Sequence, residues 1–462
     1  MIRHTDASMG SMFGSFGSLR LVIIAALVFV TPLLGCSRTG TLPGTPPGGT
    51  PVRSPEPPPW VAPGALDKSA FAWSVQVGDV TDSAALLHVH TTLAEVELRW
   101  VEQEERAWQD PQSMTGLSAV EGLVRIELDG LQPDTAYNYA FFSNDGNIRS
   151  RIGRFRTALP NDGFRIIDFG ASSCYGGANQ DLASLSRASE AQLDVFLHLG
   201  DTVYADGSNQ IDDYRQEWRD ALSRQGLKDV HASTSVVSTW DDHEVNNDWN
   251  FEDDGHLVEA ALQAYREGLP QREGPDGQIW HSLLWGEVME LFVLDSRGER
   301  EGDHYLSVEQ MDWLKQGLLL SRARFKLILN SVPITDENAL FGPLNSSDRW
   351  DGYPEQRREL IDHIVDNEIE GILFLSGDHH MGMLSHVEPV NTPGHDLWEV
   401  LVGPSGSTVN PIVLFRDPDD QYEIFIETWN YTRFTANPET GNMRIQWIDD
   451  KGEVLDERDL SL

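Results

Sequence analysis

Four short segments rich in metal-binding side chains each follow an apolar run of the chain. They are residues 171–174 (ASSC), 200–204 (GDTVY), 240–245 (WDDHEV) and 376–380 (SGDHH). The runs before the last three segments, DVFLHL, SVVST and GILFLS, are typical of buried strands. Ligands of an open α/β sheet gather beyond the carboxyl ends of its strands. The four segments therefore predict a single metal site, and with it a metal-dependent hydrolase.

The composition indicates a folded, strongly acidic protein. The chain has 462 residues, enough for two or three domains, with 40% hydrophobic residues and 14 Trp. Its formal net charge of −39 predicts a surface that repels nucleic acid and anionic membrane faces. We therefore expect no nucleic-acid partner, and we attribute most of the carboxylates to solubility.

The N-terminus has the pattern of an export signal. Arg3 and Arg20 precede the apolar run 21–30, which is short for a membrane span, and residues 33–36 read Leu-Leu-Gly-Cys. That tetrapeptide resembles a bacterial lipobox, which implies a lipoprotein signal peptide at residues 1–35 and a lipid on Cys36. An uncleaved anchor helix is the alternative. Either way, we expect the body of the protein to be exported and held on a membrane, in the periplasm, at the outer membrane or at the cell surface of a bacterium.

Cys174 is the other of the two cysteines in the chain. If Cys36 carries a lipid, no disulfide can form within the molecule. A free thiol is unusual in an exported protein, because oxidising compartments pair or oxidise exposed thiols. The residue therefore becomes a candidate metal ligand, and a small buried hydrophobic side chain is the alternative.

Two regions of different pattern follow a Pro- and Gly-rich tether at residues 36–65. Residues 66–158 alternate apolar and polar positions with period two, which predicts an all-β sandwich. Within it, the segment 130–139 (GLQPDTAYNY) resembles the entry to a late strand of fibronectin type III-like domains. His88 and His90 lie two residues apart there; they could bind metal, although histidines on strands usually do not.

Strands alternate with helices in residues 162–462. The runs FRIIDFG, DVFLHL, SVVSTW, VMELFVLD, KLILNSV and GILFLS predict strands, and residues 307–319 and 354–367 predict helices. The later runs DLWEVLVG, YEIFIETW, YTRFTAN and MRIQWIDD predict strands again. The expected fold is an N-terminal all-β sandwich followed by an α/β two-sheet sandwich flanked by helices.

The second and third segments offer ligands and a proton donor. Asp201 follows a buried run and a glycine, and its carboxylate can bridge two cations. Tyr204 could reach the same metal as a phenolate, which Fe(III) stabilises well; ordinary packing is the alternative. Asp242 and His243 are adjacent, so one could bind metal while the other donates a proton to a leaving oxygen.

The fourth segment adds Asp378 and His380. Residues i and i+2 of an extended chain point the same way, so these two side chains can face one centre while His379 faces away. After the third segment, Asn246, Asn247 and Asp248 could supply oxygen ligands for Ca(II) or Mg(II), or they could form turns and helix caps.

The order of these motifs resembles that of the dinuclear metallophosphatases, which include purple acid phosphatases. GDxxY comes first, then a loop with Asp-His-Glu, then GDxH near the end of the sheet. The details are closer to PhoD-type alkaline phosphatases: ASSC, HLGDTVYADG, TWDDHEVNND, LDSRGER, WDGYPEQRREL and SGDHHMG. The resemblance covers roughly residues 66–450, includes a preceding fibronectin-like domain, and implies a sandwich of the metallophosphoesterase type.

The resemblance implies a centre with Fe(III) and one or more Ca(II) ions. Cys174, Asp201, Tyr204 and His380 would hold iron, with Asp201 bridging to calcium and Asp242 and Asp378 completing that side. His243 takes the place of the residue that assists the leaving group. The implied reaction is hydrolysis of small phosphate esters by a metal-bound hydroxide, which would scavenge phosphate, and an iron thiolate–phenolate centre would be coloured.

The motif pattern leaves the roles of some residues undecided. His379 stands where an apolar residue is usual and could contact substrate, as could Asn246. Arg297 and Arg300 could bind phosphate through paired N–H groups or serve as ion-paired scaffold residues. Relatives can also take an oxygen ligand from the helix near residue 263, where Glu259 and Gln263 are the polar candidates.

Two other functions fit the same residues. A phospholipase-like hydrolase would use the same site on lipid head groups, and the membrane tether makes this plausible. A non-catalytic metal-binding surface protein would fit the β region and the acidic surface. The presence of His243 counts against the second alternative, because a binding protein needs no acid for a leaving group.

Overall fold

The computed structural model describes residues 62–103, 108, 110–342 and 346–462. The predicted signal peptide, Cys36 and most of the predicted tether lie outside these residues. Within the described ranges, no helix is both long and apolar enough to cross a membrane. Export and lipid anchoring therefore stay predictions.

The described residues between 65 and 156 form strands and turns, which confirms the all-β character predicted for this region. The strands are β1 Ala65–Leu66, β2 Val75–Gly78, β3 Ala84–His90, β4 Glu95–Glu102, β5 Gln112–Ser118, β6 Leu123–Asp129, β7 Ala136–Phe142, β8 Ile148–Arg149 and β9 Gly153–Arg156. One sheet has the order β1-β8-β7-β4-β5, with β9 paired to β7. The likeness to a fibronectin type III domain stays a prediction.

Strands and helices alternate from residue 167 onward, as predicted. The strands are β10 Ile167–Ser172, β11 Val195–Leu199, β12 Ser235–Thr239, β13 His281–Trp285, β14 Met289–Val293, β15 Phe325–Leu329, β16 Ile372–Ser376, β17 Gly382–His386, β18 Trp398–Leu401, β19 Tyr422–Ile426, β20 Asn430–Asn437, β21 Asn442–Asp449 and β22 Val454–Ser461. The helices are α1 Ala183–Glu190, α2 Ile211–Leu222, α3 Gln225–Ser233, α4 Phe251–Asp254, α5 Val258–Gly268, α6 Val308–Leu320, α7 Asn338–Phe341 and α8 Pro354–Asp366.

A second sheet runs through both regions of the described chain. Its nine strands have the order β22-β21-β20-β10-β11-β12-β2-β3-β6. β10, β11 and β12 are parallel neighbours, and β12 meets β2 at a single residue pair, Val236 with Gly78. A third sheet has the order β13-β14-β15-β16-β18-β17-β19.

Alternate residues of the buried strands pack into different layers. In β11, Leu197 belongs to the same apolar cluster as Leu327 of β15, whereas Phe196 packs with Trp218 of α2 and other helical residues. Phe292 of β14 packs with α6 on the far side of the third sheet. Two sheets therefore face each other between layers of helices, which confirms the predicted α/β two-sheet sandwich.

Candidate metal centre

The four sequence segments meet at one edge of the sandwich. Because β10, β11 and β12 are parallel, the loops that carry Cys174, Asp201 and Asp242 leave the same edge of the second sheet. Asp378 follows β16 in the facing sheet. In this arrangement, loops that lie far apart in the sequence present their side chains to a common space.

Three groups of potential ligands overlap there, and within each group the ligand atoms lie within 4.8 Å of one another. The groups are Cys174 with Asp201 and His380, Asp201 with Asp242 and His243, and Asp241 with Asp242 and Asp378. Asp201 and Asp242 each belong to two groups, so the three groups form one continuous cluster. The groups include every residue predicted as a metal ligand except Tyr204. They consist of His, Cys, Asp and Glu alone, so a tyrosine cannot belong to them.

Several of these residues have an unusual backbone conformation. Cys174 (φ 57°), Asp201 (φ 55°), Asp378 (φ 62°) and His380 (φ 54°) all lie in the left-handed region. Residues with a Cβ adopt this region rarely and at a cost in free energy, and such residues concentrate at functional sites. The repetition at four neighbouring positions is consistent with loops shaped to converge on a ligand.

Tyr204 joins the two sides of the first group. Its hydroxyl donates to Asp201 Oδ2 at 2.9 Å and lies 3.1 Å from His380 Nε2 and 2.6 Å from Ser407 Oγ. Burial and the charge of Asp201 raise the pKa of this phenol. A phenolate at this position therefore requires a nearby cation.

His243 is held from two sides. Its ring stacks on that of Tyr204 at a centroid distance of 3.9 Å, and its Nδ1 lies 2.8 Å from Asp206 Oδ2. Burial opposes the charged imidazolium, but the hydrogen bond to Asp206 and the charge of Asp242 outweigh burial and raise the pKa of His243 to about 9. The ring is thus protonated near neutral pH, with Nε2 left for another partner.

Arg297 and His379 are both engaged by carboxylates. Arg297 is buried, and its guanidinium donates to Asp241 at 2.5 Å and to Asp348. The His379 ring nitrogens lie 2.7 Å from Glu337 and 2.7 Å from Asp378. These contacts favour the scaffold alternative for Arg297. Substrate contacts by Arg297 and His379 stay predictions.

The remaining candidates lie around the cluster. The Asn246 amide donates to Asp254 at 3.4 Å, and the backbone N–H of Asp248 donates to Asp242 at 2.7 Å. On α5, Gln263 donates to Glu267 at 2.9 Å. Among the described residues, Asp248 does not belong to the three ligand groups. The roles of Asn246 and Gln263 as oxygen ligands stay predictions.

Comparisons with known proteins identify the family. A family model described as PhoD-like phosphatase matches residues 169–454, and the model of the N-terminal domain of these phosphatases matches residues 60–159. The chain belongs to the PhoD-like phosphatase family. The match of the first model includes every predicted metal ligand of the site.

One curated relative and two solved structures are similar to this PhoD-like chain. Alkaline phosphatase D of Bacillus subtilis (strain 168) is 29% identical over 68% of this chain, and the alignment spans 64% of the length of that relative. A structure of PhoD superposes with a TM-score of 0.72 at 22% identity, covering 85% of this chain and 89% of the other. A purple acid phosphatase from yellow lupin (Lupinus luteus) seeds gives a TM-score of 0.62 at 13% identity, over 84% of this chain and 73% of the other. At these identities the two structures show a shared fold.

Sequence reasoning missed Asp241, which belongs to the third ligand group of this PhoD-like site, and two carboxylates beside the cluster. Glu244 is fully buried, and its carboxylate accepts backbone N–H groups of Thr202 at 2.6 Å, Asp241 at 2.9 Å and Asp201 at 3.1 Å. It therefore ties the second loop to the third. Asp206 orients His243. Both residues stand inside the quoted motifs HLGDTVYADG and TWDDHEVNND, so the motifs themselves were the available signal.

The residues present fit a cationic cofactor. Oδ1 of Asp201 and Oδ2 of Asp241 are buried, and neither accepts a hydrogen bond from a described residue. Burial and the charges of Asp242 and Asp241 raise the pKa of Asp201, and burial together with Asp201 raises that of Cys174. An anionic thiol and carboxylate at these positions therefore need positive charge, which a metal ion supplies.

Proposed function

We propose that this protein is a metal-dependent hydrolase of small phosphate monoesters and diesters. The carrying observation is the continuous cluster of three ligand groups that share Asp201 and Asp242 at the ends of parallel strands. The membership in the PhoD-like phosphatase family supports the same activity. A cluster that can hold more than one cation suits a reaction in which negative charge accumulates on a phosphoryl group.

The donor atoms divide into two kinds, and we assign the metals accordingly. Cys174, Tyr204 and His380, together with Asp201, would hold Fe(III), because thiolate, phenolate and imidazole suit a transition metal. Asp242 and Asp378, with Asp201 shared, would hold Ca(II), because hard carboxylate oxygens suit that ion. Bound cations of this kind polarise the phosphate and promote ionisation of water.

His243 would supply the proton that the leaving alcohol needs. Asp206 occupies Nδ1, so the second ring proton resides on Nε2. Stacking on Tyr204 fixes the plane of the ring and turns Nε2 in a defined direction. General acid catalysis from such a group contributes about 10²- to 10⁴-fold when the leaving oxygen is a poor one.

Two other residues would keep the site in shape without touching the substrate. Glu244 links the backbones of the loops that carry Asp201 and Asp242. Arg297 places a buried positive charge beside Asp241 and Asp348. Glu244 thereby limits the motion of the two loops, and the positive charge of Arg297 limits the repulsion among the closely packed carboxylates.

The assay that tests the activity uses the full chain with nitrophenyl phosphate and bis-nitrophenyl phosphate. We expect hydrolysis that a chelator abolishes and that calcium restores. Asp201→Asn should lower kcat/KM at least about 100-fold, because the shared carboxylate is lost. The matched control is Asp168→Asn, which changes a carboxylate on β10 that pairs with Arg433 at 3.0 Å outside the cluster. Full activity after chelation, or equal losses in the two variants, would contradict the proposal.

The iron assignment has its own test. If Cys174 and Tyr204 hold Fe(III), the purified protein absorbs visible light, and Cys174→Ser removes or shifts that band together with bound iron. An unchanged spectrum and iron content in the variant would exclude Cys174 as a ligand.

We also propose that the enzyme is exported and held by a lipid at Cys36, where it would scavenge phosphate from esters outside the cytoplasm. The support is the sequence Leu-Leu-Gly-Cys after the apolar run 21–30. Metabolic labelling with a fatty acid should mark the wild-type chain in a bacterial host, and the Cys36→Ala variant should carry no label. Equal labelling of the two would exclude this site of lipidation.

A further inference from the structure

Four buried polar side chains form a chain of contacts from the N-terminal strand β2 to the loop that carries Cys174. They are Gln76 of β2, His231 of α3, His198 of β11 and Tyr175. All four are at most 3% exposed. Gln76 Nε2 lies 3.2 Å from His231 Nδ1, the two histidine Nε2 atoms are 3.0 Å apart, and His198 Nδ1 lies 2.7 Å from the Tyr175 hydroxyl. We call these four residues the relay.

One backbone carbonyl fixes the direction of every hydrogen bond in the relay. The Gln76 amide lies 2.8 Å from the carbonyl oxygen of Gly268, which can only accept. Its NH₂ group therefore faces both that oxygen and His231, and it uses its two hydrogens on them. His231 Nδ1 must then accept, so the ring proton of His231 is on Nε2.

The remaining bonds follow in sequence. His231 Nε2–H donates to His198 Nε2, so the ring proton of His198 is on Nδ1 and donates to the Tyr175 oxygen. The Tyr175 hydroxyl proton then donates to the carbonyl oxygen of Ser172 at 3.1 Å. Each proton is used once, and burial lowers the pKa of both histidines, consistent with the single ring proton that the relay requires.

Tyr175 closes the turn in which Cys174 lies. Its hydroxyl binds Ser172 on one side of Cys174, and its backbone N–H donates to the carbonyl oxygen of Asp201 at 3.0 Å on the other. Cys174 sits between these two anchors with φ 57°, a conformation that its side chain disfavours. A strained residue of this kind keeps its place only while its surroundings hold it.

We propose that Gln76 is a positioning residue for the metal centre: it orients the relay, and the relay holds Cys174 in its left-handed turn. A residue of the N-terminal region thereby stabilises the geometry of the proposed metal centre without contacting it. The inference rests on the proposed role of Cys174 as a ligand, but its test does not require metal or activity.

The test measures how easily the Cys174 thiol becomes accessible. The full-length protein is treated with a chelator and then with N-ethylmaleimide, and peptide mapping by mass spectrometry follows Cys174 separately from Cys36. In the wild type, Cys174 is fully buried and should react slowly. Gln76→Met keeps the side-chain length and removes the donor, so the rate at Cys174 should rise about tenfold, the factor that corresponds to one lost buried hydrogen bond.

A matched variant separates positioning from general loss of stability. Gln271 is also 3% exposed, and its Nε2 donates to the carbonyl oxygen of Ser238 at 2.6 Å, outside the relay. Gln271→Met loses a comparable bond and should leave the rate at Cys174 within about twofold of the wild type, since single buried hydrogen bonds contribute locally. Equal acceleration in the two variants would overturn the proposal.

A double variant checks that the effect passes through Tyr175. Tyr175→Phe should itself accelerate alkylation, and adding Gln76→Met should then add little, because residues that act through one network are not additive. Rate increases that multiply in the double variant would contradict the relay as the route.

A measurement on the wild type keeps the inference testable even where a variant does not fold. Nitrogen-15 NMR of histidine-labelled protein reports which ring nitrogen is protonated. The relay requires the proton on Nδ1 of His198 and on Nε2 of His231, and the reverse pair of tautomers would overturn it. Because no substrate or metal enters these measurements, their failure would leave the proposed hydrolase activity standing, and inactivity on esters would leave the relay standing.

Discussion

At the scale of single residues, the site depends on pairs in which one side chain sets the state of another. Asp206 and His243 are such a pair, with Nδ1 of the imidazole 2.8 Å from the carboxylate. The carboxylate keeps the ring both oriented and protonated, and it does so from a loop 37 residues earlier in the sequence. The orientation and charge of this proposed proton donor therefore depend on the fold and not on the Asp-His-Glu motif alone.

Asp206→Asn should consequently impair esters according to their leaving group. Without the carboxylate, His243 is less often protonated and less well oriented, so hydrolysis of alkyl phosphates should slow by about 10- to 100-fold. Nitrophenyl esters need little help from an acid and should slow far less. The check is kcat/KM for both ester types in the variant and in Asp212→Asn, an exposed control on α2. Equal losses on the two ester types would argue against this role.

The sequence could predict most residues of the cluster but not the residues that support them. Asp201, Asp242 and Asp378 each stand two or three residues after an apolar run, so their position beyond strand ends follows from the pattern. Asp206 and Glu244 lie within the sequence motifs, but the motifs do not reveal their roles, because these depend on contacts across loops. Glu244, for example, binds the backbone of Thr202, 42 residues earlier in the chain.

At the scale of elements, the strand-to-loop turns decide where the candidate ligands point. Gly200 directly follows β11 with φ +87°, and a Cβ at that position would lie 2.5 Å from Cβ of Asp241. The glycine therefore allows β11 and β12 to approach closely enough for Asp201 and Asp242 to share the cluster. A larger residue would have to separate the two loops.

Gly200→Ala should lower the free energy of unfolding by about 3 kcal/mol, since both an unfavourable φ and a steric collision oppose the methyl group. Gly207→Ala is the matched control: its φ is +82°, but nothing lies within 4 Å of the added Cβ. That control should lose only about 1 kcal/mol, the contribution of the backbone conformation. Urea denaturation of both variants measures the difference, and similar losses in the two would contradict the collision.

Burial explains why some strands could be predicted, although β17, which is also buried, was not among the predicted strands. The strands β11 and β16 are buried along their whole length, and their continuous apolar runs identified them. β22 escaped prediction because its residues VLDERDLS are mostly exposed and charged, and its place in the sheet comes from backbone pairing with β21. β5 was not predicted because Leu117 is its single buried residue, which leaves no apolar alternation to detect.

At the scale of the whole described chain, the two regions share a sheet that the sequence did not predict. β12 and β2 meet at the single pair Val236 and Gly78, so the sequence contains no long pair of complementary strand patterns that would predict the contact. Gly78 is required there, because an added Cβ would lie 1.9 Å from the carbonyl oxygen of Pro270. The close fit explains how Gln76, two residues earlier, comes within reach of α3 and, through His231, of β11.

Buried histidines on both sides of this junction predict the response of the whole fold to acid. Burial lowers the pKa of His88, His198 and His231 in the folded protein, that of His231 to about 3. In the unfolded chain these residues titrate near 6.5. Below that pH the unfolded state binds protons that the folded state excludes, so the free energy of unfolding falls as pH falls, by about 1.4 kcal/mol per pH unit for each histidine.

His88→Leu isolates one of these contributions. Both ring nitrogens of His88 are buried without a hydrogen-bond partner among the described residues, so its loss should cost little at pH 7.5. Between pH 6 and 4.5, the unfolding free energy of the variant should fall less steeply than that of the wild type, by about 1.4 kcal/mol per pH unit. Urea denaturation with chelator present at each pH measures the slope, and His256→Leu, an exposed position, should keep the wild-type slope. An unchanged slope in His88→Leu would mean that this histidine is charged in the folded protein, which a fully buried ring beside Arg125 makes unfavourable.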